Sequence, residues 1–199
     1  MIKQMLIFFV IIGMFFVAGC SQDTTDEGVG DISEQTTAEE QSDDASMEVD
    51  LMKELEITSD AFKNNELIPK TYTCDGENMS PSIKIENLPF NAVSIALIMD
   101  DPDAPSGTWV HWVAWNIPVT NEIPLNGIPQ GTKQGLNDFG NHNYGGPCPP
   151  SGEHRYFFKV YALDASLDID EDSKKADLEE AMEGHILTKG ELIGLYEKE

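Results

Sequence analysis

Two apolar runs separated by an acidic, proline-containing loop dominate the hydrophobic pattern of this chain. Residues 93–99 form the first run, whose length and β-branched content predict a buried strand. Pro102 indicates where that strand must end, because proline cannot donate to a central ladder. The second run, residues 109–117, is apolar on both faces and predicts a central strand covered on both sides. Strict alternation assigns its side chains to two faces: Trp109, His111, Val113 and Trp115 on one, and Val110, Trp112 and Ala114 on the other.

A third strand is predicted to start at about His154, directly after a loop rich in glycine and proline at residues 145–152. Alternation places Tyr156 on the same face as His154 and Lys159 on the opposite face. His111 and His154 each lie near the start of a strand, beside a loop whose shape glycine and proline restrict. Each histidine alone is typical of a core residue, but together they indicate a site.

The rest of the pattern predicts further short strands and a single helix. Residues 55–58, 83–86 and 191–196 are expected to be strands. Residues 174–183 are expected to be helical, with Ser173 as the N-cap and Gly184 suited to the end. Short strands at close spacing with little helix predict a mainly β protein: a β-sandwich of antiparallel sheets with one short helix near the C-terminus.

The N-terminus has the features of an export signal. Lys3 precedes an apolar core at residues 5–17, which is too short for a comfortable membrane span. The core ends in the tetrapeptide VAGC, which resembles the lipobox of bacterial lipoproteins. We therefore expect residues 1–19 to be a lipoprotein signal peptide and Cys20 to carry a lipid that anchors the exported protein to the cell membrane. An ordinary cleavable signal or an uncleaved anchor are the alternatives.

Composition divides the remainder into two parts. Residues 20–50 are acidic and polar with few large apolar side chains, which predicts a disordered tether ahead of a globular domain at residues 51–199. The whole chain of 199 residues has a formal net charge of -24, from 12 basic and 36 acidic residues. Such a charge disfavours binding to nucleic acid and electrostatic docking on anionic lipid.

Five sequence blocks carry a resemblance to a known family. They are DPDAP at 101–105, W-x-H-W at 109–112, GPCPPSGEHRYFF at 146–158, CDGENMSPSI at 74–83 and AMEGHIL at 181–187. In this order they resemble the phosphatidylethanolamine-binding protein (PEBP) family, and in particular its bacterial and archaeal Raf-kinase-inhibitor-like branch. The resemblance covers residues from about 55 to the C-terminus and implies a PEBP-like β-sandwich.

The resemblance also implies a small pocket that binds a phosphate-like anion or a phosphorylated headgroup, without a cofactor. The residues that it implies around the pocket are Asp101, Trp109, His111, Gly146, Pro147, His154 and Tyr156. Imidazole, phenol and glycine-loop N–H groups can donate to oxygens of such a ligand, and Asp101 can orient a histidine.

Other uses of the same residues remain open at this stage. One alternative is an interaction or inhibitor module with a protein partner outside the cell. A hydrolase using His154 and Asp101 is another, although no G-x-S-x-G elbow is present. A metal site of two histidines and a carboxylate is disfavoured, because the resembled family is not a metal family.

Two cysteines remain in the chain once Cys20 is lipidated. Cys74 and Cys148 lie in loops that the resemblance places near the pocket, and thiols in an exported protein meet oxidising conditions. We expect them to form a disulfide, the alternative being two buried free thiols.

Overall fold

The computed structural model describes residues 53–198. The expected signal peptide (residues 1–19), the lipidated Cys20 and the acidic tether (residues 20–50) lie outside the described residues. The described strands are β1 (Glu56–Thr58), β2 (Glu66–Leu67), β3 (Ile83–Glu86), β4 (Ser94–Asp101), β5 (Trp109–Ile117), β6 (Glu122–Ile123), β7 (Lys133–Gln134), β8 (Glu153–Leu163) and β9 (Ile186–Glu197). The helix α1 spans Lys175–Ala181, and a 3₁₀ turn spans Lys70–Tyr72.

The strands form two sheets that pack face to face, as the pattern predicted. The small sheet has the order β1-β3-β6 and the large sheet the order β2-β9-β8-β4-β5-β7. All pairs are antiparallel except the short pair β2–β9, which is parallel and corrects the expectation of purely antiparallel sheets. The predicted mainly β sandwich with one short helix is thus confirmed for the described residues.

The central strands of the large sheet, β4 and most of β5, are buried on both faces, which explains their continuous apolar runs. Every residue of β4 is buried. One face packs against the small sheet through Leu97, Trp112 and Phe158 of the large sheet and Ile83 and Ile85 of β3. The opposite face is covered by α1 and the loop before it, through Leu178, Met182 and Leu167.

A β-bulge in β5 overturns the alternation expected for that strand. Met99 pairs with Trp112 but Asp100 pairs with Val110, so β5 carries one extra residue at His111. Trp112 and Ala114 pack toward the small sheet, whereas Val110, Val113 and Trp115 pack toward α1. The prediction that His111 shares a face with Val113 and Trp115 is therefore wrong, because an inserted residue reverses the alternation beyond it.

Other boundaries differ from the prediction by a few residues. Asp100 and Asp101 still belong to β4, so the strand extends beyond the expected end. The helix is shorter than expected and Lys174, rather than Ser173, is its N-cap, with the Lys174 N–H donating to Asp177 Oδ2 at 2.8 Å. β9 begins five residues earlier than its apolar pattern indicated, because its first part is an exposed strand paired with β8.

The chain joins the domain beside the start of β9. Leu55 N donates to Lys189 O at 3.0 Å, and Thr188 Oγ1 donates to Lys53 O at 2.9 Å. Leu55 O would lie 2.1 Å from a Cβ added at Gly190, so only glycine permits this close crossing.

Candidate functional site

A buried histidine–carboxylate pair lies where β4 and β8 end side by side. His154 Nδ1 lies 2.7 Å from Asp101 Oδ2, and both side chains are buried. The second Asp101 oxygen, Oδ1, accepts from Asp103 N at 2.8 Å. The carboxylate is therefore held by two donors, and it fixes which His154 nitrogen points toward it.

His111 reaches the same region because of the bulge in β5. Its ring lies 5.2 Å from the Tyr156 ring, edge to face. His111 Nδ1 lies 2.7 Å from Gly145 O. A carbonyl can only accept, so Nδ1 carries the proton and Nε2 of the neutral ring is an acceptor. Burial lowers the pKa of His111 below its ordinary 6.5, so the ring is neutral at pH 7.

Tyr156 supplies a buried hydroxyl beside these groups. Its Oη atom has no hydrogen bond of good geometry to the described residues, although the Asp101 carboxylate and the backbone N–H of Cys148 lie near enough to affect its pKa. Burial, and after it the negative charge of Asp101, raises the pKa of this phenol. A buried hydroxyl without a partner costs about 1–3 kcal/mol, which a bound acceptor would recover.

A cavity of about 340 Å³ opens at this end of the large sheet. We call it the histidine cavity; Asp101, Trp109, His111, Phe139, Cys148 and Pro150 line it together with the 104–106 turn. The Trp109 and Phe139 rings meet edge to face at 5.4 Å, and both are partly exposed. His154 and Tyr156 are not among its lining residues. They contact two residues that are, Asp101 and His111 respectively.

Gly146 and Pro147, which the resemblance placed at the pocket, hold the loop next to it. Gly146 N donates to Asn78 Oδ1 at 2.8 Å, and Pro147 O accepts from Cys74 N at 3.1 Å. The Gly146 N–H is thus already used by the fold and does not line the histidine cavity. Cys74 and Cys148 are joined by a disulfide, with their Cα atoms 5.4 Å apart.

Phe139 and Asn137 were missed by the sequence analysis. Phe139 packs on Gly145 so closely that a Cβ there would lie 2.6 Å from its ring. The buried Asn137 amide donates to His111 O and Asn143 O, and its oxygen accepts from Phe139 N and Asn141 N. This side chain therefore shapes the loop that carries Phe139. The cluster NDFGNHN at 137–143 was a visible turn signal, but nothing in it indicated which asparagine turns inward.

Two further observations bear on the kind of site. Within residues 53–198, no group of three or more His, Cys, Asp or Glu side chains is arranged to hold a metal ion. No helix among the described residues has the length and apolar character that a membrane crossing requires.

The fold and this site define a class: a two-sheet β-sandwich with a small cavity, lined by aromatic rings, a histidine and a carboxylate, at one end of the larger sheet. The phosphatidylethanolamine-binding protein family model matches residues 58–197. The chain belongs to the phosphatidylethanolamine-binding protein family.

Individual relatives agree with this assignment. The chain is 51% identical over 150 residues to a UPF0098 protein of Pyrococcus horikoshii, covering 70% of this chain and 75% of that one. It is 50% identical over 150 residues to a UPF0098 protein of Methanothermobacter thermautotrophicus, covering 72% and 99%.

Two solved structures are similar in fold. The crystal structure of a PEBP homologue from Chlamydia trachomatis has a TM-score of 0.70 and 40% identity, covering 73% of this chain and 99% of that one. Escherichia coli YbcL, described as a member of the mammalian PEBP family, has a TM-score of 0.69 and 32% identity, covering 74% and 100%.

Proposed function

We propose that this protein is an exported, lipid-anchored member of the Raf-kinase-inhibitor-like branch of the family, and that its histidine cavity binds a phosphate-like anion or a phosphorylated headgroup. The archaeal and bacterial sources of its relatives support the branch. The observation that carries the ligand class is a pair of hydrogen-bonding atoms, His111 Nε2 and Tyr156 Oη. Tyr156 Oη has no hydrogen bond of good geometry in the described fold. His111 packs on the Tyr156 ring and lines the cavity, and its Nδ1 is already bound to Gly145 O.

The proton positions indicate which form of the ligand binds. Neutral His111 accepts at Nε2, so it suits a phosphate that still carries one proton, or a hydroxyl next to the phosphate of a diester headgroup. The Tyr156 hydroxyl donates to an unprotonated ligand oxygen. Asp101 repels an anion, but its charge is offset by donation from His154 Nδ1 and Asp103 N. Binding therefore rests on a few local hydrogen bonds and is weak.

The proposal has a pH dependence of fixed sign. When His111 is protonated, both of its nitrogens donate and the cavity gains a positive charge. Because burial lowers the pKa of His111, that gain comes below pH 6.5. Affinity for phosphate is expected to rise as pH falls through this range, and bound anion raises the pKa of His111 in return.

Tyr156→Phe is the cleanest test, because it removes a hydroxyl that makes no hydrogen bond of good geometry in the described fold. Losing a hydrogen bond to a charged group costs about 1.5–3 kcal/mol, so affinity should fall roughly ten- to a hundredfold. Calorimetric titration with inorganic phosphate and phosphorylethanolamine at two pH values measures this. Tyr161→Phe is the matched control, since Tyr161 packs on the opposite face of the sheet.

Two results would contradict the proposal: equal affinity of wild type and Tyr156→Phe, or binding that strengthens as pH rises. His154→Ala should also weaken binding. His185→Ala should not, although His185 also lies 2.8 Å from an aspartate oxygen, because that pair is exposed on the surface.

The anchor is tested separately from the cavity. Mass spectrometry of the mature protein should find a lipid-modified Cys20 as the first residue, and Cys20→Ala should leave the precursor uncut or release the domain. Normal cleavage with unchanged membrane attachment in Cys20→Ala would contradict lipidation at this position.

A further inference from the structure

The histidine cavity has a neighbouring cavity that shares part of its lining, and that neighbour in turn shares lining residues with a third. A second cavity of about 330 Å³ lies next to it, and Phe139 and Cys148 line both. A third, of about 200 Å³, shares Asn78, Asn143 and Tyr144 with the second. We call the three neighbouring cavities the groove; Phe139 and Cys148 are the residues shared by its first and second sections.

The chemistry changes along this groove. The first section presents a histidine, a carboxylate and aromatic rings, whereas the other two are lined by carboxamides. Asn78 Oδ1 accepts from Gly146 N, which leaves the two N–H donors of that amide for another partner. Gln134 Oε1 accepts from Trp112 Nε1 at 2.8 Å, with the same consequence. The Asn143 side chain lines both amide-rich sections.

Carboxamides can donate and accept side by side, and so can the hydroxyl groups of a polyol. They add no charge, so they recognise a polar, uncharged extension better than a second anion in a chain of net charge -24. The Phe139 ring shared by the first two sections provides an apolar surface over which a carbon skeleton can pass.

We infer that the ligand is a hydroxyl-rich organic phosphate, with its phosphate in the histidine cavity and its polyol part beyond Phe139 against the Asn78, Asn143 and Gln134 amides. This inference rests on the proposed function and names its ligand class. Both a free sugar phosphate and the headgroup of a phosphorylated lipid have this chemistry. Phe139 and Asn143 become the residues that determine specificity.

Calorimetry with four probes tests the inference on the full-length protein: inorganic phosphate, glucose 1-phosphate, glycerophosphoinositol and glucose. Either organic phosphate should bind at least tenfold more tightly than inorganic phosphate, because the added hydroxyl groups find partners. Glucose alone should bind more weakly than the better organic phosphate. If glucose 1-phosphate binds more tightly, the ligand is a free sugar phosphate. If glycerophosphoinositol binds more tightly, the ligand is a lipid headgroup.

Variants locate the effect. Asn143→Ala should lower affinity for the better organic phosphate about fivefold and leave affinity for inorganic phosphate unchanged. Asn91→Ala, an exposed asparagine outside the groove, should change neither. In wild type, side-chain amide resonances of Asn78, Asn143 and Gln134 should shift on adding the organic phosphate but not on adding inorganic phosphate.

The outcomes separate this inference from the proposed function. If inorganic phosphate binds but neither organic phosphate binds more tightly, or if Asn143→Ala weakens both kinds of ligand equally, the extended site is wrong and the anion cavity stands. If none of the phosphates binds, both are wrong. Equal binding of glucose and the organic phosphates would overturn the placement of the phosphate.

Discussion

Asp100 and Asp101 are neighbours in β4 and are both buried, yet they lie on opposite faces of the large sheet. Asp100 faces α1, where Lys159 Nζ lies 2.8 Å from both of its oxygens and Lys175 Nζ lies 2.5 Å from one. Asp101 faces the histidine cavity, and its charged or titratable partner there is His154. Two neighbouring aspartates of one strand thus have different partners, lysines on one face of the sheet and a histidine on the other.

The difference lies in the partners. A buried carboxylate needs compensation in either case. The Asp100 cluster joins α1 to β4 through two ammonium groups that only donate, so it fastens the helix to the sheet. Histidine has two distinct ring nitrogens, so one can hold Asp101 while the other is left for another partner. The alternation of the strand separates a structural cluster from a site by one residue.

Breaking the Asp100 cluster should have the largest effect. Asp100→Asn leaves two partly buried lysines without their counter-charge, and loss of one member of such a cluster costs about 3–5 kcal/mol. Urea unfolding with the disulfide intact should show a lower midpoint with an unchanged slope. A cost below about 1 kcal/mol would mean that the cluster does not fasten the helix.

Asp101→Asn should cost less, about 1–3 kcal/mol, since the amide oxygen can still accept from His154 or from Asp103 N. The variant should also lower the pKa of His111 further, because the Asp101 charge is one of the groups that favour protonated His111. Histidine resonances followed by NMR across pH 4–8 would measure this. If Asp101→Asn lowers stability as much as Asp100→Asn does, Asp101 is as important for the fold as Asp100, and the two faces do not differ in role.

The sign of the His111 effect on stability follows from the same shift. The unfolded chain takes up the His111 proton near pH 6.5, before the folded protein does. His111 therefore destabilises the fold as pH falls below 6.5 toward its folded pKa, and has no effect above 6.5. His111→Gln should remove this part of the acid sensitivity.

Asp103 adds a third, partly exposed carboxylate and should have the smallest effect. Its oxygens lie 2.7 and 2.8 Å from Arg155 N–H groups, and this contact holds the pKa of Asp103 at about 2. A depressed pKa adds stability above the unfolded value of 3.8 that is lost as pH falls toward about 2. Because the pair is solvated, Asp103→Asn should cost less than about 1 kcal/mol at pH 7, and salt should reduce it.

Local pattern predicted the long strands of this protein, whereas the two-residue strands β2, β6 and β7 were not predicted. The span of β5 agrees with its apolar run, and Lys159 lies on the face opposite Tyr156 as alternation predicted. A strand that is buried on both faces needs an apolar side chain at nearly every position, so its sequence alone is enough to predict it.

The geometry of the site could not be predicted from the hydrophobic pattern. The bulge at His111 occurs without a glycine or proline in β5, so no residue type marks it. Asn137 and Phe139 matter because of where a loop folds back, which depends on contacts with Gly145 and Asn143 that are distant from any periodic pattern. The amide-rich sections of the groove draw on four separate loops and strands, and no single stretch of sequence contains them.

The crossing of Leu55 over Gly190 has a consequence for access. Lys53 and Leu55 are bound to Thr188 and Lys189 of β9, which pair with Ala162 and Tyr161 of β8, whereas His154 lies near the other end of β8. Seven or eight residues of extended strand separate the two regions by about 25 Å. The first described residues and the histidine cavity therefore lie toward opposite ends of β8, and the segment from Lys53 to Leu55 does not cover the cavity.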